Sequence, residues 1–146
     1  MPDFWVSYEK FGFSKQEIIW ALAHLQEMSE GRWPDNPEGQ KTYLERPLAT
    51  RQQRPYADPD FIKYAGIAGE IEARLSECKL NNRYLDSYLV YGFYQYNIPY
   101  ERLAKVAQMS ITKVEDHIRR ALDYVSLPDF WENRPSYEEF IKGGKQ

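Results

Sequence analysis

Asn97-Ile-Pro-Tyr-Glu-Arg-Leu-Ala-Lys-Val-Ala-Gln-Met-Ser-Ile-Thr-Lys-Val-Glu-Asp-His-Ile-Arg-Arg-Ala-Leu-Asp-Tyr-Val125 reads as two helices joined by a tight turn. Pro99 stands where a first helical residue needs no amide hydrogen. Leu103, Ala104 and Ala107 put small and apolar groups on one face of a short helix. Gln108-Met109 forms the turn, and Ser110 suits the N-cap of the helix that follows. There Val114, Ile118, Ala121 and Val125 recur at spacings of four, three and four, one apolar stripe. The opposite face carries Thr112, Lys113, Asp116, Arg119, Arg120 and Asp123. A small residue, Ala104, lets the two helices approach while the second keeps a free polar face, which is helix-turn-helix geometry.

Working outward, Tyr100-Glu-Arg-Leu-Ala104, Met109-Ser-Ile-Thr112, Val114 and Ile118-Arg-Arg-Ala-Leu122 together resemble the fourth region of bacterial sigma factors. They are similar, too, to the phage-encoded transcription regulators that look like that region. Leu80-Asn-Asn-Arg83 followed by Tyr88-Leu-Val-Tyr91 is similar to the preceding helix of that family. The likeness spans residues 80 to 125, about a third of the chain. That family usually has glycine at the left-handed turn position, whereas this chain has Gln108. A side chain there costs about 1 kcal/mol or forces another turn.

The resemblance implies an all-α DNA-binding transcription regulator of phage or prophage type, its second motif helix in the major groove of double-stranded DNA. On that helix Thr112 and Lys113 lie nearest base edges, and Asp116 suits a cytosine amino group. Arg119 and Arg120 suit phosphates, while Lys105 and Ser110 suit positioning on the backbone. An alternative from another class stays open: a helical protein–protein module, such as a phage DNA-packaging or structural component. Along the second helix Lys113, Arg119 and Arg120 are balanced by Glu115, Asp116 and Asp123, which favours that alternative.

The chain has 146 residues, 42% hydrophobic and 28% charged, an ordinary globular composition for one domain with a real core. Its net charge of −3 argues against a strongly electrostatic DNA binder. Residues 1–79 hold 10 basic and 13 acidic groups, 80–126 hold 6 and 5, and 127–146 hold 3 and 4. The motif segment alone is positive, so phosphate attraction should be weak and a partner, RNA polymerase or another protein, is expected to help; an oligomer is compatible. No run approaches a membrane span of roughly 18 to 20 apolar residues and no signal peptide opens the chain. The single Cys78 fits a reducing cytoplasm and reads as a buried helix residue. His24 and His117 stand in different contexts without ligand spacing, and no nucleophile elbow or phosphate loop occurs. The expectation is therefore no enzyme, no metal and no cofactor.

Upstream, Asp3-Phe-Trp-Val-Ser-Tyr8 is an aromatic arm expected to pack on the body. Ser14-Lys-Gln-Glu17 is a capping box, with Phe13 and Ile18 as its hydrophobic staple. Ile18, Leu22, Leu25 and Met28 predict one helix that Gly31 closes. A long Pro-containing loop, 32–57, follows; within it Gln40 to Glu45 allows a short helix, and Arg46, Arg51 and Arg54 read as solvated charges. Residues 1–57 are thus expected to pack on a helical core over 58–126, followed by an aromatic segment and short helix over 127–146, in one compact unit.

Asp58-Pro59 opens the next predicted helix, with Phe61, Ala65, Ala68, Ile71 and Leu75 inward and Gly66 and Gly69 admitting a neighbouring helix. Its acids meet Arg74 and Lys79 without a special role. From Leu80 to about Phe93 a further helix carries Tyr84, Tyr88 and Tyr91. As a ladder these favour a core role, with Leu85, Leu89 and Tyr88 supporting the two motif helices, over a stacking platform for bases. Asn97 suits a left-handed stop. After Phe130-Trp131, Ser136-Tyr-Glu-Glu139 is a second capping box, ahead of a frayed Gly143-Gly-Lys-Gln146.

Overall fold

The computed structural model describes residues 5–35 and 60–143. Among them the regular elements are helical: α1 (Lys15–Ala23), α2 (Leu25–Ser29), α3 (Phe61–Leu75), α4 (Leu85–Val90), a π turn (Tyr91–Gln95), α5 (Tyr100–Ala107), α6 (Ile111–Val125), α7 (Phe130–Asn133) and α8 (Tyr137–Gly143). The all-α expectation holds. The 36–57 part of the loop, its short helix, its three arginines, the Asp58-Pro59 start, Asp3-Phe4 and the last three residues lie outside the described residues.

Ser14 caps α1 as its sequence requires: its hydroxyl accepts from the Glu17 amide, and the Glu17 carboxylate accepts from the Ser14 amide at 3.1 Å. Ile18, Leu22, Leu25 and Met28 are all buried. The expected single helix is broken at His24, whose backbone leaves helical torsion, so α1 and α2 are separate. Gly31, at φ +86, closes α2: its amide bonds Met28 O and the Arg32 amide bonds Glu27 O, a Schellman closure. The aromatic arm packs as expected over residues 5–8. Trp5 donates to Pro34 O, Trp33 donates to Val6 O, and Tyr8 meets the rings of Trp33 and Tyr64 edge-on.

α3 runs from Phe61 after Asp60, and its expected stripe holds at Ala68, Ile71 and Leu75 but shifts in the first turn. Tyr64, Ala68, Ile71 and Leu75 are buried, whereas Phe61 is exposed. Gly66 and Gly69 admit no helix; a Cβ at either meets nothing within 4 Å. Gly92, by contrast, does admit one. A Cβ there would lie 3.0 Å from Leu103 of α5.

The 80–93 helix needs the largest correction. Leu80 and Arg83 exchange both backbone hydrogen bonds, with Asn81 and Asn82 left-handed between them, so this stretch is a tight turn. The helix begins only at Leu85 and widens into the π turn, where the Tyr96 amide reaches back to Tyr91 O. Its buried face is Asp86, Ser87, Leu89 and Val90. Tyr84 (48% exposed) and Tyr88 (64%) face out with Leu85, while Tyr91 is half-buried against the core, so only the last of the three tyrosines has the expected core role. Asn97 is left-handed, as expected.

The buried side chains form one core, to which α1–α6 and the C-terminal segment all contribute. Within it α2 packs on α3, α4 and α5 pack on α6, and α1 packs on the π turn and α6.

Candidate nucleic-acid interface

The two motif helices form over the stretch that predicts them. Pro99 is the N-cap of α5, one position earlier than expected, and the Phe93 ring stacks on Tyr100 at 4.1 Å between centroids. Leu103 and Ala104 are buried, with Ala107 partly buried beside them. Gln108 closes α5 in the left-handed region, φ 58 and ψ 47. Its hydrogen bonds repeat those of Gly31: the Met109 amide bonds Ala104 O, and the Gln108 amide bonds Lys105 O. The glycine-like turn therefore forms around a glutamine, at a cost of about 1 kcal/mol. The Ser110 hydroxyl then accepts from the Lys113 amide at 3.2 Å, fixing where α6 begins.

Val114, Ile118, Ala121 and Val125 are each at most 2% exposed, so the stripe is core. Lys105, Ser110, Thr112, Lys113, Asp116 and Arg119 are exposed on α5, the turn and α6. Val106 and Ile111 are exposed apolar neighbours of the turn. Lys105 and Lys113 form no ion pair among the described residues. Arg119 pairs with Asp116 one turn away; both stay more than half exposed, so the pair is weak and exchangeable.

Arg120 departs from the expected array. Its guanidinium turns inward, Nε donating to Asp86 Oδ2 at 2.7 Å. Asp86 is only 3% exposed, and its other contacts are His117 Nδ1 at 2.6 Å and the Tyr137 hydroxyl, which donates to Oδ2. Burial alone raises the Asp86 pKa, but bonds from His117, Arg120 and Tyr137 outweigh it and hold the carboxyl below the usual carboxylate range. An ionised carboxylate only accepts, so His117 Nδ1 carries the proton in this bond. Arg120 thus fastens α6 to α4.

This cluster lines a cleft of about 170 Å³ that also reaches Cys78. Cys78 is buried as expected but lies just beyond α3 rather than in a helix, and burial, followed by Asp86 and Glu77, pushes its thiol up, the opposite of an activated nucleophile. His24, half-buried, lies 5.0 Å from the Trp20 ring.

Further ties hold the C-terminal half of α6. Arg74 meets an acid of its own helix, Glu70, as expected, and does more: Nη1 donates to Val125 O at 2.9 Å while the guanidinium lies over the Phe13 and Phe130 rings. A cation at a helix C-terminus also opposes the dipole's negative end. Lys15 pairs with Asp123, and Tyr124 donates to Pro135 O, which holds the segment before α8. The Ser136 hydroxyl caps α8 through the Glu139 amide. Asp86 and Tyr137 were not singled out from the sequence, and His117 was read only as a histidine without ligand spacing. The available signal was a lone carboxylate in the apolar run Tyr84 to Tyr94, because a charge on a buried face needs donors.

No family model, no curated protein and no solved structure matches this chain. Among the described residues no helix is long and apolar enough to cross a membrane.

Proposed function

We propose that the chain is a sequence-reading DNA-binding regulator whose α6 enters the major groove by its N-terminal half. One observation carries this reading: α6 is anchored along its C-terminal half while Ser110, Ile111, Thr112, Lys113 and Asp116 are exposed at its start. A recognition helix needs that division, because base contacts come from its first turns and must be rigidly presented. Lys113 suits guanine, Thr112 suits several bases, and Ile111 suits a thymine methyl. Lys105 on α5 and Arg119, once exchanged from Asp116, suit phosphates. With Arg120 committed to Asp86, the phosphate-facing charge is smaller still. Specificity then rests on base contacts, and affinity is modest without a partner protein such as RNA polymerase.

The second reading, an assembly module, draws on exposed Val106 and Ile111 beside a nearly neutral helix face. Selection of bound duplexes from a random pool separates the two. A regulator enriches one sequence, and binding to it falls steeply with salt; an assembly module enriches none.

A further inference from the structure

A second surface differs in chemistry from the motif. Glu72 of α3, Tyr88 of α4, Tyr91 and Gln95 of the π turn, and Tyr96 and Ile98 beyond it line an open cleft of about 420 Å³. It adjoins another of about 330 Å³, which shares Gln95 and Tyr96 and is bordered by His24, Glu27, Glu30 and Arg32. Gln95 and Tyr96 are thus a wall common to both clefts. Tyr88 and Tyr96 are 64% and 65% exposed, ring surface that a packed interior would have covered. Glu72 has no cationic partner among the described residues. Glu72 lines the same cleft as the three tyrosines; burial, and then the Glu72 charge, push the Tyr91 hydroxyl up to about 12. In the adjoining cleft Arg32 is already paired with Glu30.

Three tyrosines, one unpaired carboxylate and one amide select for a cation, because aromatic faces and the carboxylate both attract positive charge. The geometry points to an arginine side chain on an extended basic segment of a partner protein, stacked on the Tyr88 and Tyr96 rings and paired with Glu72. Arginine fits better than lysine: a planar guanidinium stacks on a ring while donating in its own plane to a carboxylate and an amide oxygen. Two clefts on either side of the Gln95 and Tyr96 wall suit a peptide more than a compact ligand. A nucleic-acid backbone is disfavoured, since Glu72 and Glu27 would repel phosphates. The π turn is the wide, irregular geometry often found at binding sites, and here it brings Tyr91 and Gln95 to the same cleft. The groove does not depend on duplex reading by α6.

The test follows the tyrosine ring resonances of the intact protein during titration with three probes. These are blocked Gly-Arg-Gly-Arg-Gly, the same peptide with citrulline for arginine, and an oligothymidine single strand. The arginine peptide should shift the Tyr88 and Tyr96 rings saturably, with the neutral citrulline peptide at least about tenfold weaker. Glu72→Gln should weaken the arginine peptide about tenfold and Tyr88→Ala about fivefold. Both side chains are exposed, so both variants should keep the wild-type circular dichroism. No saturable shift with the arginine peptide overturns the proposal, as does equal binding of the citrulline peptide. An unchanged affinity in Glu72→Gln, or oligothymidine displacing the peptide from these rings, does the same.

Discussion

Residues 97–125 and residues 80–96 are neighbours in chain and space, yet only the first folds as its apolar spacing dictates. In α6 the buried side is hydrocarbon, Val114, Ile118, Ala121 and Val125, so hydrophobic period and buried face coincide. In α4 the buried side includes Asp86 and Ser87 while Tyr88 and Leu85 face water, so the same method chooses the wrong face. What inverts α4 is a carboxylate satisfied from three sides by His117, Arg120 and Tyr137. Hydrocarbon burial is a local property of a sequence. A satisfied buried charge depends on donors 31, 34 and 51 residues away and leaves no local period.

The comparison is broken most severely by putting a charge where hydrocarbon decides. Val114→Asp should destabilise the protein by several kcal/mol, since nothing in the α5–α6 seam pairs with it. Thermal unfolding checks this, and a fully folded variant would refute the stripe. Asp86→Asn attacks the other region and should cost about 3 kcal/mol at neutral pH, because Arg120 and His117 lose their shared acceptor. The folded carboxyl has the lower pKa, so its stabilisation is complete above the unfolded value of about 4. It is lost as pH falls through the folded value. Denaturant unfolding across acid pH should therefore show a stability loss in wild type that is reduced in Asp86→Asn.

Legibility follows the same division. Ser14, Ser110 and Ser136 were readable as caps because a cap is satisfied within three residues. The exposed start of α6 was readable because polar residues there alternate with a hydrocarbon stripe. Arg120 sits on that same polar side by spacing, yet it bends to Asp86, a partner that sequence distance hides. Gly66 and Gly69 looked like helix contacts from their position alone, whereas Gly92 is where α5 comes close.

That contrast sharpens into opposite signs. Gly69→Ala should stabilise by about 0.5–1 kcal/mol, since the helix gains propensity and the methyl meets open space. Gly92→Ala should destabilise by about 1 kcal/mol, because Leu103 must give way. Equal effects in chemical denaturation would remove the distinction. The smallest effect belongs to the turn. Gln108→Gly should stabilise by up to about 1 kcal/mol by relieving a left-handed side-chain residue, without moving α6. A loss of stability would mean that the glutamine side chain does more than occupy the turn.

Division of α6 into an anchored half and a reading half is tested most directly by discrimination between a pool-selected duplex and its scramble. Wild type, Lys113→Ala and Arg119→Ala are titrated against both duplexes at two salt concentrations. Lys113→Ala should lower the ratio of the two affinities about tenfold, the share of one base contact. Arg119→Ala should weaken both duplexes about equally and flatten the salt slope by about one unit. The same discrimination ratio in all three proteins would contradict base reading by α6.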